Sequence, residues 1–129
     1  MLMRESELTT FIRRATSTMP VSSVTQLHGL NISSGVVEGE VVVITGPKDF
    51  ARMKQGAILV APATNPAWTP LFTLAIGIIV EIGGTLSHSS IIAREYGLPA
   101  LANVRNATKL LKDGDRVRLD AINEMVEVL

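Results

Sequence analysis

A chain of 129 residues is long enough to bury a hydrophobic core, and a single domain is the simplest expectation for it. Lysine plus arginine and aspartate plus glutamate number twelve each, so the composition offers neither a basic surface for nucleic acid nor an acidic surface for basic partners. The absence of cysteine excludes disulfides, thiol nucleophiles and thiolate metal sites, and it fits a reducing cytoplasm.

Two features argue against a membrane or secretory protein. The longest apolar run, over residues 71–80, is well short of the roughly 20 residues that span a bilayer. Charged residues precede any apolar stretch at the N-terminus, and no small-residue cleavage site follows an uninterrupted hydrophobic segment. We therefore expect a soluble, cytoplasmic protein without a membrane partner.

The N-terminal part of the chain differs in pattern from the rest. Apolar residues recur at helical spacing between Leu8 and Ala15, and residues 16–23 are rich in serine and threonine with one proline. This pattern predicts a helix and linker over residues 1–27, followed by a compact domain over residues 28–129.

The first half of this domain alternates strand and helix patterns. The segment VVEGEVVVI is β-branched and predicts a strand, in which Gly39 indicates a bulge or a close backbone approach. GPKDFARMKQG predicts a turn and one short helix, and GAILVAP predicts a second strand. Asn65-Pro66 and Thr69-Pro70 each offer a capping side chain followed by proline, so a helix is expected to begin at one of them. Trp68 between them is expected to pack against the sheet.

The second half continues this alternation. AIGIIVEIGG predicts a strand covered on both faces. Ser87 as N-cap, Gly97 as the C′ residue and Pro99 beyond it predict a nine-residue helix. A helix near residues 107–111 follows, and RVRLDA and EMVEVL predict a hairpin. Strands separated by helical segments favour an α/β domain with a mixed sheet.

His88 falls in the first turn of the helix that Ser87 would cap, beside backbone N–H groups without helical partners. Such a helix end favours an anion, and the neutral imidazole could attack phosphorus while the helix end stabilises the arriving charge. Phosphoryl transfer depends mainly on alignment and charge stabilisation, so few residues are needed. This hypothesis expects the ring to be open to solvent. The candidate phosphate contacts are the hydroxyl residues and flexible glycines around the helix start, namely Ser87, Ser89, Ser90, Gly83 and Gly84.

Other interpretations of these residues remain open from spacing alone. His88, Ile92 and Tyr96 lie four residues apart, so the histidine could instead be the polar end of a buried helical stripe. Arg94 is either part of a solvated helix face or a further phosphate contact. A metal site is not expected, because no carboxylate lies three or four residues after His88 and the only other histidine, His28, is expected in a loop.

GGTLSHSSIIAREYGLPA resembles the active-site signature of the mobile phosphohistidine domain of the PEP-utilising enzymes. This family includes phosphoenolpyruvate synthase, pyruvate phosphate dikinase, rifampin phosphotransferase and enzyme I of the sugar phosphotransferase system. The segments ISSGVVEGEVVVI, ILVAPATNPAWTPLF and DGDRVRLDAINEMVEVL resemble other parts of the same domain, so the likeness covers roughly residues 28–129. The resemblance implies a swivelling β/β/α fold in which the histidine matched by His88 accepts a phosphoryl group and carries it between two active sites.

The resemblance also implies partners. One is an ATP-grasp nucleotide-binding domain, and the other is a TIM-barrel PEP or pyruvate domain or, in the rifampin enzyme, a site for an antibiotic hydroxyl. Neither fits within 129 residues, so we expect these domains in trans or in a longer parent chain. No cofactor is expected on this domain itself, and Mg²⁺ with ATP or PEP is expected on the partners. The alternative is a non-catalytic docking module that retains the fold.

Three positions depart from the family pattern. Leu86 stands where the family usually has a hydroxyl residue, which in the dikinases and synthases is a regulatory phosphorylation site, so the resemblance does not imply that regulation here. Ser34 and Ala121 replace a proline and a glycine that are common in the family's turns. These two changes affect turn geometry more than chemistry.

Overall fold

The structure is a computed structural model that describes residues 26–129. The predicted N-terminal helix and most of the predicted linker lie outside the described residues. The first strand, β1 (Gln26–His28), begins two residues before the predicted start of the domain. It contains His28, so the prediction of a loop histidine is wrong. None of the helices in this part of the chain is long and apolar enough to cross a bilayer.

Short strands and helices alternate along the described residues. The strands are β1 (Gln26–His28), β2 (Leu30–Ser33), β3 (Val36–Val43), β4 (Ala57–Ala61), β5 (Ala75–Val80), β6 (Ala100–Ala102), β7 (Arg116–Asp120) and β8 (Met125–Val128). The α-helices are α1 (Thr69–Phe72), α2 (His88–Tyr96) and α3 (Ala107–Leu110), and two 3-10 helices span Pro47–Arg52 and Pro66–Trp68. The strands, helices and C-terminal hairpin predicted within residues 28–129 are present, the first of these helices as a 3-10 helix, and the sheet is mixed as expected.

The strands form one sheet in the order β1-β8-β7-β3-β4-β5-β6-β2. Strands β3 to β6 run parallel, whereas β7, β8 and β1 on one side and β2 on the other pair antiparallel. The two edge strands, β1 and β2, are consecutive in the chain and are separated only by Gly29. The sheet therefore folds back on itself, and its two halves pack face to face.

Gly29 forms the corner between these edge strands. A Cβ atom at this position would lie 2.5 Å from the carbonyl oxygen of Ala102 and 2.6 Å from Cγ2 of Val104. Both distances are too short for any side chain, so the close passage of the chain at this corner requires glycine. The first corner of the fold is thus determined by one residue without a side chain.

The second corner lies within β3. This strand pairs with β7 up to Glu40 and with β4 from Val41 onward, so it belongs to both halves of the sheet. Gly39 lies opposite Val117 in an uninterrupted ladder, and a Cβ on it would approach Cδ1 of Ile76 to 3.0 Å. The bulge predicted for Gly39 is therefore wrong, and the close neighbour of this position is a side chain, whereas the nearest backbone atom, the Gly56 carbonyl oxygen, would lie at an ordinary 3.5 Å.

Two hydrophobic clusters define three layers. Ile58 and Val60 of β4 belong to the cluster between the two halves of the sheet. Leu59 belongs to the cluster between the parallel half and the helices, which also contains Trp68 and Phe72. Alternate residues of one strand thus face different layers, as expected for a strand covered on both faces. The architecture is β/β/α, as predicted, and Trp68 is buried against the sheet.

Candidate functional site

Helix α2 begins and ends where its capping residues predict. Ser87 has extended backbone, and its Oγ accepts a hydrogen bond from the N–H of Ser90 at 3.4 Å. Gly97 closes the other end in the left-handed conformation, with φ at 70°. His88 is consequently the first residue of the helix, as the sequence predicts.

The sheet topology brings a second segment to this helix end. Strand β4 ends at Ala61, and β5 ends at Val80 before the loop of residues 81–87 that leads into α2. Because the carboxyl ends of neighbouring parallel strands meet at one edge of a sheet, the segment after β4 can reach the helix that follows β5. Thr64 accordingly contacts His88 across a separation of 24 residues.

The imidazole ring of His88 is held on two sides. Its Nδ1 lies 2.8 Å from Oγ1 of Thr64, and the ring packs edge-on against Phe72 with centroids 5.7 Å apart. Its Nε2 is buried and has no hydrogen-bond partner among residues 26–129. Burial lowers the pKa of His88, because the imidazolium would lose hydration. The neutral form of the ring therefore predominates at pH 7. His88 as a residue is half-buried, and the expectation of a solvent-open ring fails at Nε2, which is covered.

The hydroxyls of Ser89 and Ser90 turn into the domain. Ser89 is only 2% exposed, and its Oγ lies 2.6 Å from Oγ1 of Thr64. Ser90 donates its hydroxyl to the carbonyl of Gly84, and its Oγ lies 3.0 Å from Oγ of Ser87. In this conformation the hydroxyls of Ser89 and Ser90, two of the three that the sequence predicts as phosphate contacts, are therefore committed to internal hydrogen bonds.

The glycine loop before α2 is organised around one carbonyl. The carbonyl of Gly84 accepts hydrogen bonds from the N–H of Ser87 at 3.1 Å and from its hydroxyl at 2.9 Å, in addition to the Ser90 hydroxyl. A Cβ on Gly84 would have no heavy atom within 4 Å, whereas one on Gly83 would lie 3.2 Å from the Ser87 Oγ. The loop is thus anchored by its backbone and leaves open space beside Gly84.

Arg94 anchors the same loop from the helix. Its guanidinium donates a hydrogen bond to the carbonyl of Thr85. Arg94 is exposed, as expected for a solvated helix face, and its side chain binds the protein backbone in this conformation. Leu86, the next residue in the loop, is 85% exposed, and Ile82 is 70% exposed. The apolar residue that replaces the family's usual hydroxyl therefore lies on the surface.

The first turn of α2 retains two backbone donors. The N–H of Ser90 is capped by the Ser87 side chain, and that of Ile91 donates to the Ser87 carbonyl at 3.1 Å. The N–H groups of His88 and Ser89 have no acceptor within the described part of the chain. Since unpaired amides at a helix N-terminus bind anions, these two groups can receive phosphate oxygens.

Two alternatives from the sequence can be compared with this geometry. The buried side of α2 contains Ser89, Ser90 and Ala93, whereas Tyr96 is 41% exposed. The helical stripe that spacing allowed, with His88 at its polar end, is therefore not the buried face of the helix. Within residues 26–129 no three histidine, aspartate or glutamate side chains are grouped so that they could hold a metal ion.

Sequence reasoning did not identify Thr64 and Phe72 as site residues. Thr64 lies in the TNPAWTPLF stretch, just beyond a strongly apolar strand pattern. A polar residue at the carboxyl end of a buried parallel strand is the signal that could have found Thr64, because ligand sites form at that edge. Phe72 carries no comparable signal, since nothing in its spacing distinguishes it from other core residues.

The chain is similar to proteins that transfer phosphoryl groups. The family described as PEP-utilising enzyme, mobile domain, matches residues 53–124. Rifampicin phosphotransferase of Bacillus cereus is 52% identical over 101 residues, which make up 78% of this chain and 12% of that protein. The probable phosphoenolpyruvate synthase of Pyrococcus abyssi is 41% identical over 100 residues, again 78% of this chain and 12% of that protein. The chain therefore spans about 12% of the length of these curated relatives.

Two solved structures have a similar fold. The solution structure of an Enzyme I protein superposes with a TM-score of 0.54 at 27% identity, covering 62% of this chain and 33% of that chain. The holo-form of aconitase X from Thermococcus kodakaraensis superposes with a TM-score of 0.62 at 26% identity, covering 82% of this chain and 99% of that chain. Proteins named for different activities share this fold, so function must be argued from the site.

Proposed function

Because the chain belongs to the mobile-domain family of the PEP-utilising enzymes, we propose that it is a phosphoryl carrier in which His88 is phosphorylated. A role in phosphoryl transfer follows from the family and its phosphotransferase relatives. The specific carrier role is supported above all by Nε2 of His88, a buried nitrogen without a hydrogen-bond partner in the described chain. This nitrogen belongs to a neutral ring at the start of α2, where two amides are available to an anion.

The neutral ring supplies the nucleophile in this proposal. When the Nδ1 proton is donated to Oγ1 of Thr64, the lone pair of the ring lies on Nε2. The Nε2–P bond forms while the bond from phosphorus to the donor oxygen breaks, and the donor leaves with that electron pair. In the second step an acceptor oxygen attacks the same phosphorus, and the electron pair of the Nε2–P bond returns to nitrogen.

The start of α2 stabilises the transferred group. The amides of His88 and Ser89 donate to phosphate oxygens, and the positive end of the helix dipole favours the negative charge. The open space beside Gly84 lets an oxyanion approach the backbone. Ser87, Ser90 and Gly83 hold the loop in position, and Arg94 would contact phosphate only after releasing the Thr85 carbonyl.

The covered Nε2 implies a resting conformation. A phosphorus atom cannot reach a buried nitrogen, so the imidazole must turn or the loop of residues 83–87 must shift before transfer. Docking of the donor domain is the event that we propose to cause this change. Leu86 lies in this loop and Ile82 lies just before it, and the exposed side chains of both residues offer an apolar surface to that domain.

The proposed partners are an ATP-grasp nucleotide-binding domain and a PEP- or pyruvate-type acceptor domain, or a domain that binds another small acceptor. The length of the relatives supports this, because the chain corresponds to only about 12% of them. The partners are either separate proteins or parts of a longer parent chain, and they would hold ATP or PEP with Mg²⁺ in the cytoplasm. A non-catalytic docking module that retains the fold is the second candidate, because the same fold occurs in a protein named for a different activity and so does not by itself imply phosphoryl transfer.

Labelling of His88 tests the carrier proposal. The full chain is incubated with labelled ATP or PEP, together with the remaining domains of a rifampicin phosphotransferase or a phosphoenolpyruvate synthase. We expect acid-labile, alkali-stable phosphate on the wild-type chain and none on His88→Ala. A His28→Ala variant is the matched control and should be labelled normally. Equal labelling of His88→Ala, or no labelling of wild type while the relative's own mobile domain is labelled, contradicts the proposal.

A further inference from the structure

Phe72 is a buried aromatic residue that contacts the imidazole of His88. The two ring centroids are 5.7 Å apart and the ring planes are inclined at 77°, which is the geometry of a T-shaped aromatic pair. Phe72 is only 1% exposed and lies at the C-terminal end of α1. Its phenyl ring therefore occupies space beside the imidazole that water would otherwise fill.

The elements around His88 place no charged group against its ring. Thr64 is a polar but uncharged contact, and neither α1 nor the loop of residues 83–87 contains a charged residue. Strands β2 and β5, which also pack against α2, contain none either. The other titratable side chains of α2 are all exposed, namely Arg94, Glu95 and Tyr96. Burial is accordingly the cause of the lowered pKa of His88.

We propose that Phe72 is a positioning residue that covers one side of the His88 imidazole and excludes water from it. This cover favours the neutral ring, because the imidazolium would lose more hydration than the neutral imidazole. Protonation would also leave an N–H on Nε2, which has no acceptor within residues 26–129. The consequence for transfer rests on the proposed function, whereas the protonation state is a property of the unphosphorylated chain.

The phenyl ring also has an effect of opposite sign. Its π electrons attract a cation that lies over the face of the ring, which would favour the imidazolium. Such an attraction is smaller than the hydration that a covered imidazolium loses, so we expect the cover to dominate. The two effects predict opposite changes in the pKa of His88 when Phe72 is replaced, and the sign of that change therefore decides between them.

Phe72→Leu removes the aromatic ring and keeps an apolar side chain in the core. The smaller side chain leaves space for water beside the imidazole, so the pKa of His88 should rise towards its ordinary value. Phe72→Ala leaves more space and should raise the pKa further. Phe50→Leu is the matched control, because Phe50 forms the same kind of T-shaped pair with Trp68, at 5.1 Å between centroids. This control should leave the pKa of His88 as it is in wild type.

Proton NMR titration of the full, unphosphorylated chain measures this pKa directly. The chain has two histidines, and the signal that disappears in His28→Ala identifies the other as His88. Two-dimensional ¹H–¹⁵N spectra show whether each variant is folded, and Phe72→Met, a second apolar replacement without a ring, takes the place of Phe72→Leu if that variant does not fold. An unchanged or lower pKa of His88 in the folded variant, or an equal rise in Phe50→Leu, overturns the proposal.

The pH profile of labelling tests the consequence for transfer. A protonated imidazole has no lone pair for attack, so the labelling rate should fall as pH drops through the pKa of His88. Each rate is divided by the rate of the same variant at pH 8, which removes effects of the substitution on docking, and the partner domains are the same in every reaction. The normalised profile of Phe72→Leu should be displaced to higher pH, whereas that of Phe50→Leu should match wild type.

The two measurements separate this inference from the function on which it rests. If wild type is never labelled but the pKa of His88 rises in Phe72→Leu, the carrier function fails and the role of Phe72 stands. If wild type is labelled and that pKa does not rise, the role of Phe72 is refuted and the carrier function stands. A raised pKa with the wild-type labelling profile refutes the consequence for transfer alone.

Discussion

Gly29→Ala tests whether closure of the sheet depends on the corner between β1 and β2. The added Cβ would stand 2.5 Å from the Ala102 carbonyl oxygen and 2.6 Å from Cγ2 of Val104. The oxygen belongs to the backbone of β6, which is fixed by pairing with both β2 and β5. The clash therefore cannot be relieved by a side-chain rotation alone, and the strand itself must shift.

The magnitude of this effect follows from two opposing terms. Overpacking of this kind costs about 1–3 kcal/mol, and contact with a fixed backbone atom favours the upper end. Alanine also restricts the unfolded chain, which stabilises the folded state by about 0.4–1 kcal/mol where φ is not positive, as at Gly29. The free energy of unfolding should thus fall by about 2 kcal/mol.

Urea denaturation measures this change. At an m-value of about 2 kcal/mol/M, the unfolding midpoint of Gly29→Ala should fall by roughly 1 M with the slope unchanged. Gly46→Ala is the matched control, because a Cβ there would have no heavy atom within 4 Å, and its free energy of unfolding should stay within about 0.5 kcal/mol of wild type. Wild-type stability for Gly29→Ala, or equal destabilisation by both variants, would refute the assignment of this corner.

Two further predictions concern the site. Burial lowers the pKa of His88, so the imidazole takes up a proton at a higher pH in the unfolded chain than in the folded chain. The free energy of unfolding should therefore decline as pH falls below about 6.5. His88→Gln should lack this part of the decline in urea titrations, and a constant difference from wild type between about pH 5 and 8 would contradict it. Arg94→Gln should release the Thr85 carbonyl and speed amide hydrogen exchange in the loop of residues 83–87, while the exchange of β4 stays at the wild-type rate. Slow, unchanged exchange in this loop would show that the guanidinium contact does not hold it.

Local pattern determined most of the elements of this protein. Ser87 and Gly97 mark the ends of α2, because a helix start favours a side chain that can cap its N–H groups and a helix end favours a residue that adopts the left-handed conformation. Strands β3, β4 and β5 were evident because β-branched and apolar runs of five or more residues exceed what a turn can contain. The position of His88 on the first turn of α2 follows from the same local signals.

The local sequence pattern did not predict the short strands or the pairing of strands that are distant in the chain. Strands β1 and β2 contain three and four residues, too few for alternation to be recognised. Their place at the two edges of the sheet depends on pairing with β8 and β6, far away in the chain. The role of Gly29 as the corner becomes apparent only when those pairings are known.

The residues of the site also divide into those that the sequence reveals and those that only the tertiary structure places there. The sequence supplied the histidine, the capped helix and the glycine loop, because these lie within one continuous segment. It could not supply Thr64, which reaches the ring only because β4 and β5 are parallel neighbours. Nor could it show which hydroxyls turn inward, because the rotation of a helix about its axis is decided by packing against the sheet. Tertiary structure alone therefore turned the Ser89 hydroxyl away from the helix end and towards Thr64.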